Sequence, residues 1–226
     1  MRTRAIYAKA GPSPSTSEAV ILIERGQSQA AEGQYKEAES LYKQAVESDE
    51  AKYGPGNTQV REDLRFLARL YRDQSGFSIQ EAEPLFERML VIRQKTFGQD
   101  SPEVAETVSD IALLYFFEED YGHCESFAAR ALPIQEKTFG PNGLEVSTTL
   151  NRLGICQRDL NKLDKTERSL VRALAIREKL FQPDHPWIAI SVENLASVYR
   201  AEGQVERATL LVANSRDASA KTHSKR

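Results

Sequence analysis

The chain has 226 residues, 40% of them apolar and 28% charged, with a formal net charge of −3 and a pI near 5.8. This balance suits amphipathic helices with solvated outer faces. It argues against a nucleic-acid partner, which calls for a basic surplus or a basic stripe. No apolar run approaches the ~18 residues of a membrane span, the longest being Ala19 to Ile23. Membrane insertion is therefore not expected, and the cytoplasm is the expected compartment.

In chain order, residues 1–16 carry Arg2, Arg4 and Lys9 and no acid among Ser, Pro and Gly. They read as a disordered leader, with an organelle transit segment as the alternative. Pro55-Gly56-Asn57 marks the first long loop. Val60, Leu64, Leu67, Ala68 and Tyr71 then follow the i, i+4, i+7 spacing of one helical face. Ser75-Gly76 breaks that helix, and Ser78-Ile79-Gln80-Glu81 reads as a capping box opening the next. The second helix carries Ala82, Leu85, Phe86, Met89, Leu90 and Ile92 and ends near Phe97-Gly98. Ser101 as N-cap and Pro102 at the first helical position start the following element. Pro141-Asn142-Gly143 and Pro183-Asp184-His185-Pro186 mark the later loops, with His185 in a capping role. Pro133 falls inside a helical pattern, where a kink is expected because proline removes a hydrogen bond and crowds Ala129. No sustained period-two alternation signals a strand. A polar, basic tail is expected over 218–226.

These elements repeat. Gly26, Ala68, Ala112, Gly154 and Ala196 are spaced 42, 44, 42 and 42 residues apart, and each opens or continues the same small-residue motif. A period in that range implies stacked units that bury their apolar faces against neighbours. Ala38, Ala82, Cys124 and Thr166 occupy an equivalent small-residue site on the second helices. Gln157 stands where Tyr71, Tyr115 and Tyr199 stand in other units, so the fourth unit is expected to pack less well. Cys124 and Cys156 both fall on apolar stripes; two reduced, buried thiols are expected, a disulfide being the alternative.

The segments Gly33 to Glu39, Gln80 to Phe86, Ala173 to Lys179, Pro183 to Pro186, Asn194 to Ala196 and Gly203-Gln204 resemble the tetratricopeptide repeat. The ordinary repeat runs ~34 residues. The longer period here is similar to that of kinesin light chains. The resemblance implies an all-α, right-handed α-solenoid of about five helix-turn-helix pairs over 17–217, with units near 17–54, 55–98, 99–140, 141–182 and 183–217.

It also implies that a concave face, lined by the first helix of each pair, is the functional one. Residues one and two steps beyond the buried stripe should line it. The candidates are Arg65, Phe66, Arg69 and Arg72; Asp110, Leu113, Phe116 and Phe117; Asn151, Arg152, Ile155 and Arg158; and Asn194, Ser197 and Arg200. The row Arg65, Arg69, Arg72, together with the phenylalanines, suits a partner segment bearing acidic residues and an aromatic or apolar anchor. Pairing of those arginines with acids of the next first helix is the structural alternative. Tyr115, Phe116 and Phe117 in succession must place at least one ring off the buried face. Asn151 and Asn194 match asparagines with which kinesin light chain-like grooves hold a peptide backbone, whereas Arg65, Phe66, Ser109 and Asp110 depart from that pattern.

No catalytic constellation emerges. His123, His185 and His223 are isolated, and glycine-rich phosphate loops and zinc-ligand spacings are missing. The expectation is a non-catalytic scaffold or adaptor without cofactor or metal, binding another protein. The alternatives are a homo-oligomeric assembly element and a regulatory subunit of a neighbouring enzyme.

Overall fold

The computed structural model describes residues 17–73 and 79–223. Among these residues there are ten helices and no strand. They form two compact units, Met1–Thr96 and Phe97–Arg226. The first holds α1 (Glu18–Ala31), α2 (Tyr35–Tyr53), α3 (Thr58–Asp73) and α4 (Ile79–Phe97), the last reaching the boundary. The second holds α5 (Pro102–Phe117), α6 (Tyr121–Phe139), α7 (Leu144–Asp159), α8 (Leu163–Leu180), α9 (Pro186–Ala201) and α10 (Val205–His223). The fold is the expected all-α stack of helix pairs. The leader and the Ser75-to-Ser78 break and cap lie outside the described residues.

Local chemistry sets the helix ends. Ser101 Oγ accepts from the Val104 backbone N–H at 3.3 Å, with Pro102 in the first turn. His185 caps α9 through Nδ1, which accepts from Trp187 N–H at 3.2 Å. Gly54, Gly98 and Gly140 end successive second helices with φ of +85°, +90° and +78°, a region in which a Cβ is disfavoured. α6 continues through Pro133, whose side chain is exposed. α10 runs to His223, so residues 218–223 are helical where a tail was expected from 218. The alternating Ala218, Ala220 and Lys221 are helix formers, which the polar composition concealed.

The α1–α2 and α7–α8 pairs close on small residues. A Cβ added to Gly26 would fall 2.7 Å from Tyr42 Cδ1, and one added to Gly154 would fall 2.7 Å from Leu170 Cγ. Ala68, Ala112 and Ala196 at the equivalent positions are fully buried, as are Ala38, Ala82, Cys124 and Thr166 opposite. In the second unit, Leu170 and Leu174 of α8 pack with Ile188, Val192 and Leu195 of α9. Val146 and Leu150 of α7 pack with Ala173 and Ile176 of α8.

Within each compact unit, polar stitches join one repeat to the next. Tyr71 Oη donates to Glu39 at 2.7 Å, and Tyr199 Oη donates to Glu167 at 3.1 Å, 32 residues back in each case. Gln157 keeps the same link, donating to Glu125 at 3.5 Å while accepting from Ser169 Oγ at 2.9 Å. It is only 6% exposed, so the fourth repeat retains its packing and the expected weakness there is corrected. A second stitch fixes the loops: Arg88 donates to the Pro55 carbonyl and Arg172 to the Pro141 carbonyl, both at 3.0 Å.

Two buried polar features stand apart. Cys124 of α6 and Cys156 of α7 are joined in a disulfide, their Cα atoms 6.4 Å apart. This corrects the expectation of reduced thiols: the two fully buried cysteines face each other across a repeat boundary. In the first unit Asp49 of α2 and Asp63 of α3 are 3% and 6% exposed and share a hydrogen bond. Burial, followed by the Asp49 charge and hydrogen bond, pushes the Asp63 carboxyl up to about 7.

Three outcomes follow from this packing. Gly154→Ala is expected to lose about 1–3 kcal/mol in chemical denaturation, because Leu170 must yield. Thiol titration of the unfolded, unreduced chain should find no free thiol, and reduction should cost about 2–4 kcal/mol; two free thiols would refute the pairing. Because the folded Asp63 holds its proton above the unfolded value, its contribution to stability is fully present at acid pH. That contribution is lost as pH rises through about 7. Asp63→Asn should therefore be more stable than the wild type at pH 8.5, by about 2–4 kcal/mol, with the gap closing at pH 4. Parallel thermal melts of the two chains sink this account if the gap is independent of pH.

Candidate functional site

The candidate residues divide between the two units. In the first, Arg65 pairs with Glu62, one turn earlier on α3, at 3.1 Å. Its guanidinium carbon lies 5.3 Å from the Phe66 ring centroid. Phe66 is half-buried and packs on Tyr42 of α2 with centroids 5.8 Å apart, so this ring belongs to the α2–α3 contact. Arg69 is half-buried and also engaged. The row is thus neither free nor fully exposed, and the side chain of Arg72 lies outside the described residues.

In the second unit the candidates come together on one face. Arg152 of α7 donates from Nη1 to the Ser109 carbonyl of α5 at 2.9 Å. Asn194 of α9 donates from Nδ2 to Asn151 Oδ1 of α7 at 3.1 Å. Arg158, near the end of α7, donates to Ser197 Oγ of α9 at 3.4 Å and pairs with Asp159 at 3.1 Å. Polar links thus run from α5 to α7 and from α7 to α9, with Leu113 and Ile155 half-buried. Arg200 turns to Glu193 on its own helix at 2.7 Å. Phe116 is half-buried, edge-on to Phe117 and to Tyr121. Phe117 is 60% exposed, as the run of three rings required.

Toward the N-terminal halves of α5 and α7 this face opens into a cleft of about 640 Å³. α5 contributes Glu103, Glu106 and Asp110, and α7 contributes Glu145 and Arg152. Phe139 at the end of α6 and Trp187 at the start of α9 add aromatic walls. Trp187 is held by Arg177, which donates to its carbonyl at 3.1 Å and to Ser191 Oγ at 2.7 Å, with the guanidinium 5.4 Å from the ring centroid. Burial pulls the Arg177 pKa below its ordinary value. Gln135 also lines the cleft and is 5% exposed; its Nε2 donates to Ser109 Oγ at 2.8 Å, while Oε1 has no partner.

Of this lining, sequence reading found Ser109, Asp110 and Arg152 and missed the rest. A signal was present: Asp49, Arg93, Gln135 and Arg177 recur at spacings of 44, 42 and 42, polar residues on a buried helix face. Among the described residues no group of three or more His, Cys, Asp or Glu is placed to hold a metal ion. Nor is any described helix long and apolar enough to cross a membrane.

Sequence profiles described as tetratricopeptide repeat match residues 19–52, 64–103, 109–179 and 146–213. The chain belongs to the tetratricopeptide repeat family. This tetratricopeptide repeat protein is similar in fold to a Podosopora anserina protein described as a kinesin light chain with nearly identical TPR-like repeats. The TM-score is 0.76 at 23% identity, covering 89% of this chain and 95% of that one. It is similar also to BtubC (BKLC) from P. vanneervenii, with a TM-score of 0.77 and 24% identity over 91% of this chain and 82% of the other. A Rap protein complexed with competence and sporulation factor shares the fold at 18% identity and a TM-score of 0.62, covering 89% and 54%. The clustered mitochondria protein of Arabidopsis thaliana is 31% identical over 105 residues, 45% of this chain; the chain spans 7% of the length of that curated relative.

Proposed function

We propose that this tetratricopeptide repeat protein is a non-catalytic interaction module that holds a segment of another protein on the shared face of α5, α7 and α9. The observation that carries this reading is the face itself. Arg152, Asn151, Asn194, Arg158 and Ser197 form cross-helix polar links beside an open cleft. The scaffold behind them is fixed by buried contacts, so these groups are presented on rigid helices and little ordering entropy is lost on binding. Asn151 and Asn194 each retain amide capacity beyond their mutual bond, which suits contact with a partner's backbone. The fold is shared with a Rap protein that was solved with a bound factor.

Cross-linking mass spectrometry of the chain with partners captured from the native organism tests this. Cross-links should cluster at α5, α7 and α9, and the double change Asn194→Ala with Arg158→Glu should weaken capture by about tenfold or more, since a lost charge-assisted contact at Arg158 is worth about 1.5–3 kcal/mol and a neutral amide contact at Asn194 about 0.5–1.5 kcal/mol. Helicity should be retained. Cross-links confined to α6, α8 and α10 would overturn the reading.

A further inference from the structure

The α9–α10 pair departs from the repeat pattern twice, once inside and once outside. Ile92, Ile134 and Ile176 recur 42 residues apart on the second helices, and all three are buried. Ile176 packs with Val146 and Leu150 of α7, its own pair partner, in a cluster that holds no α9 residue. The next position in the series is Ala218 of α10. With only a methyl group there, a groove of about 400 Å³ lies between α10 and the end of α8, lined by Phe181, Pro183, Ile188, Val192 and Leu211. Outside, Ser40, Pro84, Ser126 and Arg168 hold one exposed position on the earlier second helices. Leu210 takes that position on α10 and is 61% exposed, the most of any large apolar side chain among the described residues. The pair thus lacks an aliphatic side chain inside and carries an extra one outside.

Both departures share one ridge of the helix. Leu210, Asn214 and Ala218 stand at i, i+4 and i+8, a spacing that aligns them along one side of α10. Asn214 and Ala218 also line the groove. A two-fold axis through Asn214 lays a second α10 antiparallel on the first and sets Leu210 of each copy opposite Ala218 of the other. Asn214 then meets its own mate, and an amide can both donate and accept in such a pair. Charge agrees at the rim. Glu178 borders the groove at the end of α8, and Arg207 stands one turn before Leu210 with its side chain 51% exposed. Arg207 pairs with Glu167 of its own copy at 2.7 Å and has further N–H groups to offer Glu178 of the other.

We infer that this groove receives Leu210 of a second copy of the chain, and that the reciprocal insertion makes α10 the contact of a two-fold dimer. Self-complementarity favours a second copy over a foreign partner: the side chain added outside matches in kind the one missing inside. α10 has 19 residues and is about 28 Å long. Contact along one such helix stays below the roughly 1,200 Å² in total that stable dimers bury. The dimer is therefore reversible and forms at about 10–100 µM. It does not rest on the α5–α7–α9 face holding a partner. It doubles that face, so a ligand with two matching segments is held more tightly than one with a single segment.

Sedimentation equilibrium of the full chain from about 1 to 300 µM tests this, and the mass should rise from monomer toward dimer. Leu210→Asp and Ala218→Ile should each raise the dissociation constant by about tenfold or more. Leu210 is exposed, so its replacement should leave helicity intact. Ala218→Ile restores the side chain of the earlier pairs, and its melting temperature in dilute solution should match or exceed that of the wild type. Asn214→Cys treated with a short bismaleimide should yield covalent dimers, because the native cysteines are already bonded to each other. A monomer at every concentration overturns the inference and leaves the groove to another occupant. A dimer indifferent to both Leu210→Asp and Ala218→Ile, or one that the bismaleimide does not join, overturns it as well.

Discussion

Everything in this molecule depends on how closely the two helices of each repeat approach. At Gly26 and Gly154 there is no room for a single carbon, because Tyr42 and Leu170 occupy the space where a Cβ would be. At Ala68, Ala112 and Ala196 a methyl group fills the same position with no residual exposure. A close crossing brings the apolar stripes of both helices into one layer, and a Leu such as Leu170 then gains about 1.5–3 kcal/mol by leaving water. Ridges of that kind tolerate neither a void nor an extra methylene without strain. The small-residue rhythm is therefore the constraint from which pair geometry follows.

Once pairs are fixed, the stitches between them determine which surfaces remain for partners. Tyr71, Gln157 and Tyr199 spend their polar ends on the preceding second helix, and Arg88 and Arg172 hold loop carbonyls. These contacts occupy the junctions between repeats. The outward positions of α5, α7 and α9 are left to link laterally through single, half-buried bonds such as Arg158 to Ser197. Those are the bonds a ligand can exchange at least cost. Rigid junctions and exchangeable lateral bonds together make a surface that is shaped in advance but not chemically saturated.

The helix pairs were legible because their signals are local and periodic. Small residues at fixed spacing, Ser101 and His185 caps and loop glycines each act within a few residues of where they stand. What was hidden depends on pairs far apart in sequence. Gln157 reads as a defect beside three tyrosines until Glu125 and Ser169 are seen around it. Cys124 and Cys156 read as separate core residues until α6 and α7 are set against each other. The tail from 218 looked polar, yet its alanines extend α10. Of the site, the lateral row was found by counting from the buried stripe, whereas the cleft was not, since Glu145, Gln135 and Trp187 come from three different helices.

The bond between Cys124 and Cys156 has a mechanical side. Stacked repeats transmit tension in series, so a chain pulled from its ends ordinarily gives up its units one at a time and lengthens with each. Here a covalent cross-brace spans a junction between two repeats, and the 32-residue interval it closes cannot pay out while the brace holds. Roughly 110 Å of fully extended backbone is withheld from lengthening in this way. Under load, the middle of this protein would behave as a fastened splice between more extensible ends.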